Sequence, residues 1–266
     1  MNKRKIDVLV LSDMHLGAYG CKAKELHHYL KSVDPQMVIL NGDIIDIWNF
    51  KKWYFPEYHM KVVRQLIKLA SRVPVYYITG NHDEALRKYS EMSMGHLQLC
   101  DRLSLNIDGQ QYLFFHGDAF DASINCAKWL AKIGGWSYDF LILINNVINA
   151  GLSAIGRPRM SLSKRIKNSV KRAVRYVNDF EMLACEFGAR EGCDVVVCGH
   201  IHQPQMRHVQ TKHGQVSYFN SGDWVENLTA LEYAQGLWQL YTYEPESFEI
   251  ERIMEKWSAS GARLTA

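Results

Sequence analysis

Four short apolar runs, Ile6–Leu11, Met37–Leu40, Val75–Thr79 and Val195–Cys198, contain only Asp7 and Thr79 as strongly polar residues. Runs of this length without in–out alternation are strands buried on both faces. Stretches with helical spacing lie between them, around Lys22–Val33 and His59–Arg72, and this strand–helix–strand rhythm predicts a layered α/β fold. Leu103–Ile107 and Tyr112–His116 flank Asp108-Gly109, a pair that favours a type I′ hairpin turn. A second hairpin pairs Met206–Gln210 with Gln215–Phe219. Strands continue to Leu237–Tyr243, so the sheets are expected to be mixed.

The rhythm stops between residues 121 and 192. That segment has helical patterning without a convincing strand, which predicts a core of 1–120 and 193–266 interrupted by a helical cap. Residues 140–156 form the longest charge-free apolar stretch, 17 residues carrying Asn145, Asn146 and Asn149. It is short and polar for a membrane span. A second amphipathic helix is expected from Ser163, ending near Gly188 or Gly192. The chain has a net charge of only +3, but its basic residues are unevenly spread: 157–175 holds eight of them and no acid, leaving 23 basic against 28 acidic residues elsewhere. Lys3, Arg4 and Lys5 precede an apolar run too short for a signal-peptide core. The six cysteines show no C-x-x-C pair, as expected of thiols in a reducing cytosol.

Each apolar run ends in a burst of oxygen and imidazole donors. Asp13 and His15 follow the first, Asp43 the second, Asn81, His82 and Asp83 the third, and His200 and His202 the fourth; Tyr112–Phe115 delivers His116. Ligands in open α/β sheets bind at carboxyl ends of strands, so these bursts are expected to converge. Two aspartates, one asparagine and four histidines exceed the needs of one ion. They suit two ions that share a bridging carboxylate. A pair of ions about 3.5–4 Å apart is a known device for displacement at phosphorus.

The blocks D-x-H, G-D, G-N-H-D, H and G-H-x-H, met in order at Asp13/His15, Asp43, Asn81/His82/Asp83, His116 and His200/His202, resemble those of the calcineurin-like metallophosphoesterases. The resemblance covers about residues 6–223 and implies a four-layer αββα sandwich of two mixed sheets, here with a helical cap insertion. Carried over, it places Asp13, His15, Asp43 and His202 on one metal and Asp43, Asn81, His116 and His200 on the other. It sets His82 against the substrate phosphate, oriented by Asp83. Gly42-Asp43-Ile44-Ile45-Asp46-Ile47-Trp48, the His116-Gly117-Asp118 triplet and the helical insertion are most similar to the UDP-2,3-diacylglucosamine pyrophosphohydrolases of lipid A synthesis. His82 departs from their usual G-N-R-D. That second resemblance implies water attack on the α-phosphorus of a nucleotide-linked lipid, with release of UMP and an acylated sugar 1-phosphate. The oxygen and nitrogen donors suit Mn²⁺, with Fe or Zn²⁺ as alternatives.

Other residues carry weaker signals. Asp46 reads as a charge favouring a helix N-terminus, and Asn220, Ser221 and Asp223 read as a turn. Asp118 reads equally as a turn residue or a partner of the ligands. In the aromatic group Trp48, Phe50, Trp53, Tyr54, Phe55 and Tyr58, core packing and substrate contact are both open, with Trp48 the candidate for contact. Lys164, Arg165 and Lys167 lie near the start of their helix and Asp179, Glu181 and Glu186 later, against the macrodipole preference, which points to an anionic substrate or an anionic membrane surface, with Lys164, Lys167 and Lys171 as the candidate contacts. The expected partners are therefore a nucleotide-linked lipid or other phosphate substrate and the inner face of the cell membrane, from the cytoplasm. Nucleic acid and an obligate protein partner are not expected. The rival readings are a phosphodiesterase or phosphatase on other nucleotide- or lipid-linked esters, and a non-catalytic scaffold of the same fold.

Overall fold

The structure, a computed structural model, describes residues 3–48, 54–121 and 162–244, with the backbone alone for 162–172. Its strands and helices follow the apolar runs. β1 (Arg4–Leu11), α1 (Ala23–Ser32), β2 (Val33–Asn41), α2 (Glu57–Ala70) and β3 (Val75–Ile78) come first. A 3₁₀ helix (Glu84–Tyr89) leads to β4 (Ser93–Met94) and β5 (Leu97–Cys100), then the hairpin β6 (Arg102–Ile107) and β7 (Gln110–Phe115). After α3 (Leu162–Arg190) come β8 (Val195–Cys198), the hairpin β9 (Gln205–Thr211) and β10 (Gly214–Asn220), β11 (Thr229–Ala234) and β12 (Leu237–Thr242).

One sheet has the order β12-β11-β1-β2-β3-β5-β4, the other β6-β7-β8-β10-β9. β1, β2, β3 and β5 run parallel and β11, β12 and β4 complete their sheet antiparallel. In the second sheet β7, β8 and β10 are parallel between two antiparallel edge strands. Both sheets are mixed, as expected. The first hairpin turns at Asp108 and Gly109 with φ of 49° and 85°, the two left-handed residues a type I′ turn requires.

The buried strands are apolar on both sides because each sheet meets a layer on both sides. Val8, Val10, Ile39 and Ile78 of the first sheet pack with Tyr112, Phe114, Val195 and Val197 of the second, forming the layer between the sheets. Leu9, Leu11, Val38 and Leu40 point the other way, into a core with Leu26, Leu30, Val62 and Leu69 of α1 and α2. On the second sheet Phe187 of α3 meets Phe115 edge-on, at 5.6 Å between centroids. Gly188 lies so close to the Val196 side chain that a Cβ there would collide with it. Gly188 is therefore an interior helix residue, and the helix ends before Gly192, whose φ is +75°.

The described residues fall into two compact units, Met1–Asp118 with Ala184–Ala266 and Ala119–Leu183. α3 runs from the second into the first. The apolar stretch 140–156 lies outside the described residues; among those described, no helix is long and apolar enough to cross a membrane. The five described cysteines are free thiols.

Phe114 is fully buried between the sheets, whereas Leu237 at the sheet edge is 73% exposed. Phe114→Ala is expected to cost about 3–5 kcal/mol of unfolding free energy, and Leu237→Ala no more than about 0.5 kcal/mol, both read from urea denaturation.

Candidate metal centre

Six parallel strand ends meet at one edge of the sandwich. β1, β2 and β3 deliver Asp13/His15, Asp43 and Asn81/His82, and β7, β8 and β10 deliver His116, His200/His202 and Asp223. Backbone hydrogen bonds tie these loops together: Asp13 N to Gly42 O at 3.0 Å, His15 N to Asp43 O at 3.0 Å, Gly199 N to His116 O at 3.1 Å and Trp224 N to Asp13 O at 3.1 Å. The loops are tightly wound. Nine described non-glycine residues have positive φ, and five of them are Asp13, His15, Asp43, His200 and His202, at 49–68°. Such conformations cost free energy and persist where surrounding contacts over-determine them, commonly at functional sites.

Glycines make the close approach possible. Gly42 has φ of +85° and a Cβ there would strike the His116 ring. At Gly80 a Cβ would strike Asp43 Oδ1 and lie 2.6 Å from the Asp43 backbone nitrogen. Asn81, next in sequence, is thereby brought beside the Asp43 loop.

Ligand-capable atoms converge in three overlapping groups, each within 4.8 Å: Asp13, His15 and His202; Asp13, Asp43 and His116; and His15, Asp43 and His82. His15 Nε2 and His202 Nε2 are 3.3 Å apart, and His202 Nε2 lies 3.2 Å from Asp13 Oδ1. His116 Nε2 is 3.4 Å from Asp43 Oδ2. The His200 ring is 5.1 Å from the His116 ring, and the His200 backbone N–H donates to Asp13 Oδ2 at 3.0 Å.

Three buried atoms at this edge, Asp13 Oδ1, Asn81 Oδ1 and His116 Nε2, make no hydrogen bond among the described residues, although Asp13 Oδ1 and His116 Nε2 lie close to His202 and Asp43. A buried polar atom left unmatched costs about 1–3 kcal/mol. His116 Nδ1 is 3.0 Å from the Asn41 carbonyl, to which it can only donate, so the neutral ring carries its lone pair on Nε2, and, against burial, the pull of Asp43 and Asp13 favours a positive charge there. A carboxylate oxygen, an amide oxygen and an imidazole nitrogen aimed into one space are a donor set for a hard or borderline divalent cation. These residues fit such an ion. Asp13, His15 and Asp43 each belong to two of the three groups, so the groups overlap as neighbouring ion sites would.

The surrounding charge favours a cation too. Burial opposes ionisation of Asp43, but His116, His15 and His82 hold its carboxyl well below the usual range. Burial lowers His15 to about 4 against the pull of Asp43 and Asp13. Burial also works against His202, yet Asp13 raises it to about 9.

The sequence reading is corrected at His82. Asp83 does not orient it. The Asp83 carboxylate accepts from Ile44 N at 2.9 Å, Tyr77 Oη at 2.7 Å and Gly80 N at 2.6 Å, so it is a fully buried brace for the loops. Burial raises its pKa despite those donors. The partner of His82 is Asp46, whose Oδ1 is 2.9 Å from His82 Nδ1. Burial lowers His82, and the Asp46 hydrogen bond with Asp43 more than offsets this, raising it. Asp46 was read as a helix N-terminal charge, but α2 begins only at Glu57 and Asp46 is buried. Asp46 is three residues after Asp43, a spacing that signals a shared loop once Asp43 is recognised.

Asp223, Ser12 and Asn220 also belong here. Asp223 Oδ1 accepts from Val225 N and Glu226 N at 2.8 and 2.6 Å, and its Oδ2 lies 3.8 Å from His202 Nδ1. Ser12 Oγ meets Ser221 Oγ at 2.7 Å, and Asn220 Nδ2 donates to the Gly199 carbonyl at 2.8 Å. Asn220 ends β10 and its Oδ1 accepts from Gly222 N at 2.9 Å, the assigned turn begins only at Trp224, and this segment supports the ligand loops. Asp118 accepts from Arg87 at 3.0 Å. The exposed Trp48 ring lies 5.2 Å from the His82 ring. Phe50 and Trp53 lie outside the described residues, as do the side chains of Lys164, Lys167 and Lys171.

Residues 6–204 match the calcineurin-like phosphoesterase family, and the chain belongs to it. It is a metal-dependent phosphoester hydrolase by family. Among its relatives, the UDP-2,3-diacylglucosamine hydrolase of Shewanella sp. (strain MR-4) is 22% identical over 231 residues, covering 84% of this chain and 92% of that protein. The enzyme of the same name from Stenotrophomonas maltophilia (strain K279a) is 24% identical over 247 residues, covering 90% and 99%. Among solved structures, Yfce, a phosphoesterase from E. coli, aligns with a TM-score of 0.44 at 13% identity, covering 89% of this chain and 99% of that one.

Gly80→Ala pushes a methyl group against Asp43 and is expected to cost about 1–3 kcal/mol. Saturating Mn²⁺ should raise the melting temperature of the parent, as binding to the native state alone requires, and leave that of Gly80→Ala unchanged. Differential scanning calorimetry with and without the ion measures both effects.

Proposed function

We propose that the chain hydrolyses the pyrophosphate of a nucleotide-linked lipid, with UDP-2,3-diacylglucosamine as the leading substrate and UMP and 2,3-diacylglucosamine 1-phosphate as products. The observation that carries the hydrolytic part is the set of three buried atoms on Asp13, Asn81 and His116 that make no hydrogen bond among the described residues. The relatives that align over most of their length support the substrate. In this reading Asp13, His15, Asp43 and His202 hold one divalent ion, and Asp43, Asn81, His116 and His200 the other. Manganese is the first choice for this oxygen- and nitrogen-only set, with iron or zinc next. Two ions held by these residues would supply Lewis-acid chemistry, polarising phosphoryl oxygens and lowering the pKa of water.

The chain's own residues do the rest. His116 keeps one tautomer through the Asn41 carbonyl. His82 gives its Nδ1 proton to the hydrogen bond with Asp46, which aims Nε2 toward the Asp43 side of the centre, 3.9 Å from Asp43 Oδ2. There it holds a proton beside the reacting phosphate. Asp83 acts by bracing the loop that carries His82. Trp48, exposed beside His82, is placed to cover a substrate group. Lys164, Lys167 and Lys171 would meet an anionic substrate or the inner membrane surface, with residues 121–192 as the cap; the local run of positive charge in the sequence supports this.

A second reading follows from the His82–Asp46 pair: hydrolysis of simple phosphoesters. A pyrophosphate cleaved at the α-phosphorus expels a phosphate with a second pKa of about 6, which needs little protonation. An alkoxide has a conjugate acid near that of water, about 15.7, and benefits from a general acid, typically by about 10²–10⁴ in rate.

The deciding experiment compares kcat/KM on UDP-2,3-diacylglucosamine and on an unactivated alkyl phosphodiester, with Mn²⁺, in the parent, His82→Arg and Asp46→Asn. The lipid reading expects turnover of the UDP-lipid that His82→Arg largely retains. It expects both variants to lose about 10²-fold or more on the diester, and the double variant to lose no more than either alone. A parent active on the diester and inactive on the UDP-lipid establishes the second reading. Equal losses on both substrates mean that His82 acts on charge at phosphorus rather than as an acid.

A further inference from the structure

The outer face of the seven-stranded sheet carries a cavity of about 440 Å³ that the metal centre does not use. Val63, Ile67 and Ala70 of α2 line one side and Tyr77, Met94 and Leu97 the other. Its volume lies within the usual range for small-molecule sites, about 300–1,000 Å³. The topology explains it. The crossover from β3 to β5 contains a six-residue 3₁₀ helix where a full α-helix would cover the strands. Beyond α2 the sheet face therefore stays open.

The lining selects the ligand class. Tyr77 turns its hydroxyl to Asp83 at 2.7 Å and Ser71 donates its own to the Lys68 carbonyl at 2.8 Å, so both lining hydroxyl groups are committed within the protein. A nucleotide or sugar would lose its hydration without replacement in such a slot. The rim is apolar and cationic at once. Ile67 and Met94, on opposing walls, are 64% and 53% exposed, and Met60 is exposed one helical row away. At 100° per residue Arg64 stands 60° from Ile67 around α2, with Lys68 beyond it. Arg64 and Lys68 are exposed and make no ion pair among the described residues, whereas Lys61 and Arg72 are paired with Glu57 and Asp34. The stretch of α2 from Val63 to Ala70 is about 10 Å long, room for much of an extended aliphatic chain.

We propose that this groove binds one acyl chain of an anionic amphiphile, with the chain between Ile67 and Met94 and the head group at Arg64 and Lys68. The cationic rim supplies the complementarity that separates this occupant from a neutral hydrophobe. The site stands on its own lining and does not depend on which phosphate ester the metal centre cleaves. Leu16, Ile44 and Ile45 line it as well and directly follow His15 and Asp43 in sequence. A chain seated there touches residues next to the candidate ligands.

The test is isothermal titration calorimetry with dodecanoate, decanoate and dodecanol below their aggregation limits. The proteins are the parent, Ala70→Trp, Val63→Phe and the pair Arg64→Gln/Lys68→Gln. The parent is expected to bind one dodecanoate per chain, and decanoate more weakly by about fourfold for each missing methylene. Filling the groove by Ala70→Trp should weaken dodecanoate at least tenfold, and Val63→Phe serves if that variant does not fold by circular dichroism. Arg64→Gln/Lys68→Gln should weaken dodecanoate several-fold and leave dodecanol unchanged. Turnover of p-nitrophenyl phosphate should be the same in all folded variants. No saturable binding by the parent, or equal binding by a folded groove-filled variant, overturns the proposal. So does a parent dimer, seen by sedimentation, that Ala70→Trp dissolves while no dodecanoate binds, since a second copy would then be the occupant.

Discussion

Two carboxylates buried where two sheets meet, Asp13 and Asp43, set the conditions for everything around them. Removing a carboxylate from water costs several kcal/mol unless positive charge or donors replace the lost hydration. Here part of the replacement is backbone: His82 N donates to Asp43 Oδ1 at 2.8 Å and His200 N to Asp13 Oδ2 at 3.0 Å. The other two oxygens face imidazoles, Asp13 Oδ1 that of His202 at 3.2 Å and Asp43 Oδ2 that of His116 at 3.4 Å. Left-handed backbone at Asp13 and Asp43 and the missing side chains at Gly42 and Gly80 are the geometric cost of holding these anions close together. A cation between them turns an unfavourable cluster into a favourable one. The fold supplies the stiffness, because each loop springs from a strand that is buried on both faces.

Much of this was legible in the sequence because burial on both faces leaves a continuous apolar signature, and a polar burst after it stands out. Ile6–Leu11 followed by Asp13 and His15 is the clearest case, and Asp108-Gly109 fixed the first hairpin by its need for two positive φ values. β4 and β5 left no such signature: Ser93–Met94 is two residues long and wholly exposed, and Leu97–Cys100 has one buried residue. Asp46 and Asp83 were exchanged in role because sequence adjacency favours Asp83 as the partner of His82. The 3₁₀ turn that follows points Asp83 back into the core, toward Tyr77 and Ile44. Only tertiary packing of the Asp43 loop against the Asn81 loop brings Asp46 across. Asp223 was hidden for a related reason, since a composition that suits an ordinary turn here follows β10 and braces His202 and Gly199.

The seven-stranded sheet thus serves two chemistries on different sides. The loops at its strand ends build a polar, cation-seeking centre, while its outer face, thinly covered past α2, leaves an apolar slot with a basic rim. Leu16 and Ile44 join them, each one residue beyond a candidate ligand and each among the buried residues of the outer core. Side-chain alternation along a strand-like loop is sufficient to send neighbours to opposite layers.

The central claim is that Asp43 bridges two divalent ions at these strand ends. Electron paramagnetic resonance of the chain reconstituted with Mn²⁺, with the bound metal counted by elemental analysis, tests it most directly. Two ions per chain with an exchange-coupled signal, reduced in Asp43→Ala to no more than one uncoupled ion, is the predicted result. One ion per chain in the parent, or two uncoupled ions that Asp43→Ala still retains, would contradict it.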